Sequence, residues 1–243
     1  MSSATARSPE VLAGGYSKDD GTVEFYGRIQ ALLPAKAVVL DFGAGRGSWR
    51  EDRCLYRRTL SELGGGERFV VGADVDPAIA QNTGVDCAVL VGTDGKLPFR
   101  SASIDVAVAD WVLEHLEYPG AFAAEMERIV RPGGWLCART PNRWGYVGIG
   151  SQLIPNAVHV PLLRRLQPER RKADVFPTRY RLNTMGRIVG HFQQSSWEHA
   201  VYRFNPNVDY AGKSAVMSVA LAMWQRIVPS ALATDLFVFL RRR

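Results

Sequence analysis

Five short apolar runs, each stopping at an acid, a glycine or a turn, constrain this chain more than any other feature. They are Val38–Phe42, Arg68–Asp74, Cys87–Gly92, Ile104–Trp111 and Trp135–Thr140. Runs of this kind read as strands buried on both faces. Between them the spacing predicts helices over Arg50–Leu63, Pro77–Asn82 and Pro119–Val130, the last stopping at Arg131-Pro132-Gly133-Gly134. A further helix, Val23–Leu33, is expected ahead of the first strand, packed over the entrance to the site. Strands alternating with helices build βαβ units, hence an α/β fold with a mostly parallel sheet and helices on both faces. Such sheets bind ligands at the carboxyl ends of their strands.

After Thr140 the alternation breaks. Residues 141–184 mix five prolines with arginines and large apolar side chains, and they read as a lid or recognition insertion. The alternation then resumes with a helix at Met185–Gln194, a strand at Trp197–Phe204, a helix at Lys213–Val228 and a last strand at Asp235–Leu240. The expected organisation is therefore 1–140 as N-terminal helices and cofactor-binding half, 141–184 as lid, and 185–243 completing the same sheet.

Charge sharpens this division. The chain carries a formal +6, yet residues 139–187 hold ten Lys/Arg against Glu169 and Asp174, a local +8 that leaves −2 for the remainder. A basic excess confined to one segment points to an anionic ligand or an anionic surface there, a peripheral membrane contact through 141–184 included. Cys54, Cys87 and Cys137 are scattered, without CxxC pairs or histidines at ligand spacing, so neither a disulfide framework nor a metal site is expected. That usage, an amino terminus without leader character and the interrupted apolar stretch Ser214–Leu240 fit a cytoplasmic protein.

The first strand runs straight into Asp41-Phe42-Gly43-Ala44-Gly45-Arg46-Gly47. Glycines let the backbone N–H groups approach a ligand closely. The spacing is GxGxG rather than the dinucleotide GxGxxG, and an acid stands at the strand end. That acid repels a pyrophosphate and suits a ligand carrying an ammonium and a sulfonium. Asp74 ends the second strand, where a carboxylate can accept from both ribose hydroxyls. Val75 beside it offers an apolar face to adenine. Asp94 and Gly95 follow the third strand, with Asp94 placed to accept from the adenine amino group. Glu114-His115-Leu116 follows the fourth.

Taken in order, VVLDFGAGRG, GADVDP, LPFRSASIDVAVADWVLEHL and ERIVRPGGWLCARTPNR resemble the motifs of the small-molecule class I methyltransferases, the ubiquinone and menaquinone biosynthesis type. The resemblance covers about residues 16–143. It implies a Rossmann-like sheet of seven strands with the final strand antiparallel, and S-adenosylmethionine as cofactor with S-adenosylhomocysteine as product. It also implies cofactor contacts at Asp41, Gly43, Gly45, Asp74 and the loop around Asp94, completed near Asp110 and Trp111. Arg28 is a candidate for the cofactor carboxylate. One departure stands out: Thr93 holds the place four residues before Leu97 where the family has an acid.

The acceptor side is less constrained. His115 lies nearest by sequence logic to the transferred methyl, and His159, Tyr180 and Arg181 lie in or beside the basic segment. Methylation of a hydroxyl needs a base, worth about 10²- to 10⁴-fold. Apolar anchors among arginines suit a small acceptor with an apolar body and an anionic group. No Asn/Asp-Pro-Pro-aromatic run follows the fourth strand and no cysteine sits in a Pro-Cys context, so nucleic acid is not the expected partner. A methyltransferase fold can also couple methylation to cyclisation, or bind its cofactor without turnover. Acceptor identity and oligomeric state are not written in these motifs.

Overall fold

The computed structural model describes residues 9–92, 95–145, 149, 177–206, 224 and 228–243. Seven strands form one sheet: β1 (Val38–Phe42), β2 (Phe69–Asp74), β3 (Cys87–Leu90), β4 (Ile104–Asp110), β5 (Val130–Pro141), β6 (Trp197–Phe204) and β7 (Asp235–Arg242). Their order is β3-β2-β1-β4-β5-β7-β6. The pairings among β1 to β5 are parallel, and β7 alone runs antiparallel, between β5 and β6. This is the Rossmann-like order expected of the class I methyltransferase fold, with its reversed last strand. The chain crosses over beside β1, so the switch point lies between β1 and β4, where ligands bind at the carboxyl ends.

The alternation of side chains divides the core into two layers. Val39, Val106 and Val108 face one side with Phe25, Tyr26 and Ile29 of α1 (Gly21–Leu32), while Leu40, Ala107 and Ala109 face the other. That second layer holds Phe122, Met126 and Ile129 of α3 (Pro119–Ile129) and Ile188 of α4 (Met185–His191). Period-two burial on the central strands is what a sheet covered on both faces requires.

Two expected elements differ. The stretch Arg50–Leu63 is not one helix. It divides into a 3-10 turn, Ser48–Glu51, and α2, Leu55–Ser61. Asp52 breaks it: its carboxylate accepts from the Cys54 N–H at 2.8 Å and is gripped by Arg57, which also bonds Asp20, the residue capping α1. Strand β5 begins at Val130, well before Trp135. Ile104 pairs with Val130 and Val106 with Trp135, so Arg131-Pro132-Gly133-Gly134 bulges out of the ladder instead of ending it. At Gly134 a Cβ would lie 2.7 Å from the Asp105 carbonyl oxygen, which explains a glycine there.

Most of the lid at 141–184 and the helix expected over Lys213–Val228 lie outside the described residues. The base of the lid is described. The Arg143 N–H donates to the Asn183 carbonyl at 2.8 Å, and the Asn183 amide donates to Thr140 Oγ1 and to the Pro141 carbonyl. The two ends of the segment thus meet at the end of β5. Among the described residues no helix is long and apolar enough to cross a membrane.

Candidate cofactor site

The site grows from the turn after β1. Gly43, Gly45 and Gly47 all hold positive φ, at 79°, 48° and 75°. The Gly43 N–H donates to the Ala73 carbonyl at 2.7 Å, tying the turn to β2. Asp74 ends β2, buried. One carboxylate oxygen accepts from the Gly45 N–H and the other from the Asp76 N–H, both at 2.8 Å. Each oxygen keeps a second lone pair for a hydroxyl. Val75 follows, 45% exposed.

Asn82, which sequence reasoning did not single out, holds the turn from outside. Its amide donates to the Ala44 and Gly45 carbonyls at 3.2 Å each, and its oxygen accepts from the Gly84 N–H. Replacing Asn82 with alanine is expected to weaken S-adenosylhomocysteine binding about tenfold, the loss of roughly 1–2 kcal/mol of loop-ordering hydrogen bonds, with little change in secondary structure. Calorimetric titration beside circular dichroism checks both.

Three carboxylates stand at the carboxyl ends of adjacent strands: Asp41 next to last on β1, Asp74 last on β2 and Asp110 last on β4. Asp110 is neutralised by Arg139, which meets it through Nε at 2.8 Å and Nη2 at 2.7 Å, and it also accepts from Tyr26 Oη. Asp41 accepts no hydrogen bond and makes no ion pair among the described residues. Burial pushes its carboxyl up to about 7, with Asp110 and Asp74 adding repulsion. An acid whose folded pKa lies above its unfolded value stabilises the fold most fully below the unfolded pKa, near 4, and loses that contribution as pH rises through 7. Asp41→Asn is therefore expected to raise stability at pH 8 by about 2 kcal/mol after solvent screening, roughly 4–8 °C in melting temperature, and by much less at pH 5. Thermal unfolding at the two pH values reads it directly.

Trp111 follows Asp110 at φ +57° and is 39% exposed. Gly95 sits at φ +81°, where a Cβ would touch Ala121 of α3 at 3.0 Å; Asp94 lies outside the described residues. Arg28 is not brought to this cluster. It pairs with Glu24 one turn back on α1 and lies over the Tyr202 ring of β6, on the opposite flank of the sheet.

A second polar cluster lies one turn beyond Asp110. Glu114 is buried and accepts from Thr140 Oγ1 at 2.9 Å, and Thr140 accepts from the Asn183 amide. Burial raises the Glu114 carboxyl to about 7, against hydrogen bonds that lower it. His115 Nδ1 lies 3.0 Å from the Pro177 carbonyl, and its Nε2 lies 4.0 Å from Glu114. A ring nitrogen facing a carbonyl must carry the proton, which makes Nε2 the acceptor in the neutral ring. The Arg179 and Tyr180 N–H groups converge on the Glu114 carbonyl, and Arg181 donates to the Glu117 carbonyl. His115, Tyr180 and Arg181 are thus neighbours. His159 lies outside the described residues. Among the described residues no cluster of acids, cysteines or histidines has metal-holding geometry.

Comparison with known proteins agrees with this frame. Residues 40–138, from β1 to β5, match the family model described as the methyltransferase domain. The first five strands are thus similar to a methyltransferase domain, and they stand in a sheet of the class I methyltransferase fold. A probable S-adenosylmethionine-dependent methyltransferase of Mycolicibacterium smegmatis is 37% identical over 107 residues, covering 37% of this chain and 40% of that one. An uncharacterized methyltransferase of Mycobacterium avium is 30% identical over 147 residues, covering 53% and 55%. The chain therefore spans about half the length of the curated relatives it matches, or less. A SAM-dependent methyltransferase structure from Thermotoga maritima superposes with a TM-score of 0.57 over 97% of this chain and 93% of that one, at 14% identity. The matched stretch includes the glycine turn and the acids Asp41, Asp74 and Asp110, which stand where the strand order reverses.

Proposed function

We propose that this methyltransferase domain binds S-adenosylmethionine and transfers its methyl group to a hydroxyl oxygen of a small, anionic, partly apolar acceptor. The observation that carries the cofactor reading is Asp41. It is a carboxylate without a hydrogen-bonding partner among the described residues, set between a positive-φ glycine turn and Asp74. A dinucleotide's phosphates would be repelled there, whereas an ammonium group would be held. The residues present fit the cofactor. Asp74 has lone pairs left for ribose hydroxyls, the Gly43-Ala44-Gly45 turn allows close backbone approach, and Val75 and Trp111 offer exposed apolar surface for the adenine and the methionine chain.

When bound, S-adenosylmethionine supplies a methyl on a sulfonium, displaced in line by the acceptor. The protein's work is then alignment, worth up to ~7–11 kcal/mol for well-held partners. His115 is the base of this reading: Nε2 takes the hydroxyl proton, and Glu114 nearby steadies the imidazolium that forms. Tyr180 and Arg181, held against Glu114 and Glu117, would border the acceptor, with His159 contributing from the basic segment. Arg139 apart, which is paired with Asp110, the +7 balance of residues 140–187 supports an anionic group on that acceptor over a neutral one.

Titration with S-adenosylhomocysteine tests the cofactor reading, and product analysis with methyl-labelled cofactor tests the acceptor reading. Binding followed by label on the oxygen of an anionic acceptor supports both. Absence of binding to the folded protein overturns the cofactor reading. Binding without transfer to any anionic hydroxyl compound, or label in a cyclised product, overturns the acceptor reading.

A further inference from the structure

Arg139 stands on β5 among apolar neighbours and is 5% exposed. Its guanidinium is bidentate on Asp110, donates to Thr22 Oγ1 at 3.2 Å, and packs over the rings of Trp111 at 4.9 Å and Phe25 at 5.2 Å. Its carbonyl accepts the Trp111 N–H at 2.9 Å, which holds that residue in its left-handed conformation. A buried ion pair is a poor route to stability, because well-packed apolar residues of similar volume serve as well or better. Its presence beside the cofactor site therefore calls for a role in binding.

We propose that Arg139 is a positioning residue of this site: by neutralising Asp110 and clamping Trp111 it leaves Asp41 as the uncompensated carboxylate, and so sets the pH range over which the site takes up a cationic ligand. The inference rests on the cofactor reading above. Among the described residues, the titratable groups facing Asp41 are Asp74 from β2, Asp110 from β4 and Tyr26 from α1. Arg139 from β5 and Asp235 from β7 face Asp110 in turn. Asp41 itself is pushed up to about 7 by burial, then by Asp110 and Asp74. A change in the charge of Asp110, or in its neutralisation by Arg139, therefore alters the repulsion that Asp41 feels.

The test is calorimetric titration with S-adenosylhomocysteine over pH about 5.5 to 8.5, spanning the perturbed carboxylate range. In the wild type, affinity should fall up to tenfold per pH unit below a midpoint near 7, as Asp41 protonates. Asp41→Asn should abolish that midpoint. Arg139→Met should raise it by about one pH unit, and Asp110→Asn should lower it by about as much, since each leaves its partner's charge uncompensated. The double variant should return towards the wild-type midpoint. A merely structural role for the pair predicts weaker binding in both single variants with the midpoint unmoved, and that result overturns the inference. If Arg139→Met does not fold, Asp110→Asn decides: a lowered midpoint sustains the inference and an unchanged one overturns it. Failure of the folded wild type to bind at any pH overturns the cofactor reading beneath it instead.

Discussion

Asp74→Ala is expected to weaken S-adenosylhomocysteine binding by a hundredfold to ten-thousandfold. In the free protein the Asp74 carboxylate orders the glycine turn through the Gly45 N–H and its own following turn through the Asp76 N–H. In the complex it would also receive ribose hydroxyls. A hydrogen bond to a charged group contributes about 1.5–3 kcal/mol, so two lost ribose contacts amount to roughly 3–6 kcal/mol. Asp74→Asn separates the two duties. Its amide oxygen can still accept from one backbone N–H, so the turn should survive while affinity falls by less than in the alanine variant. Calorimetry on both variants, with thermal unfolding as a check on the fold, measures the difference. Equal affinity in wild type and Asp74→Ala would remove Asp74 from the site.

The second large effect is expected at Gly43. A Cβ there would lie 2.3 Å from Val112 Cγ2, and the residue sits at φ +79°, which an L side chain rarely adopts. Left-handed backbone costs about 1–2 kcal/mol and overpacking about 1–3 kcal/mol. Gly43→Ala should therefore destabilise the fold by roughly 2–5 kcal/mol and reduce cofactor affinity about a hundredfold, because the turn between β1 and the residue after Trp111 must open. Adding Val112→Ala removes the clash and leaves the backbone cost, so it should restore about half of the lost stability. Thermal unfolding of the single and double variants reads the two contributions apart. No recovery in the double variant would mean that the backbone conformation carries the whole cost.

The parts of this molecule that could be read in its sequence are those set by local patterning. Val38–Phe42 and Trp197–Phe204 appear as strands with the expected ends, because continuous or alternating apolar character signals a strand wherever it lies. Strand β5 was legible only in its second half. The pairing of Val130 with Ile104 is a long-range event, and nothing in Arg131-Pro132-Gly133-Gly134 distinguishes a bulge from a break. The helix expected over Arg50–Leu63 failed at Asp52, where a side chain competes for backbone N–H groups.

The site divides the same way. Asp41, the glycines and Asp74 announce themselves by standing at strand ends. Asn82 gives no such signal, since its bonds to Ala44 and Gly45 exist only once the turn has folded back. Arg139 did leave a trace, a lone charge inside an apolar strand, which demands a buried acid as partner. The sequence placed Arg28 on the entrance helix but not its orientation towards Glu24 and Tyr202, which is decided by helix phase.

The meeting of Arg143 and Asn183 at the end of β5 has a wider consequence. Both ends of the stretch between them are thus tied to one place on the sheet. The entropy of closing such a loop grows only with the logarithm of its length, about 0.6 kcal/mol for each doubling. Lengthening, shortening or exchanging that stretch therefore taxes the sheet very little. A change of length in that stretch leaves the pairing of Arg143 with Asn183 where it is, so the sheet and its glycine turn are expected to tolerate it.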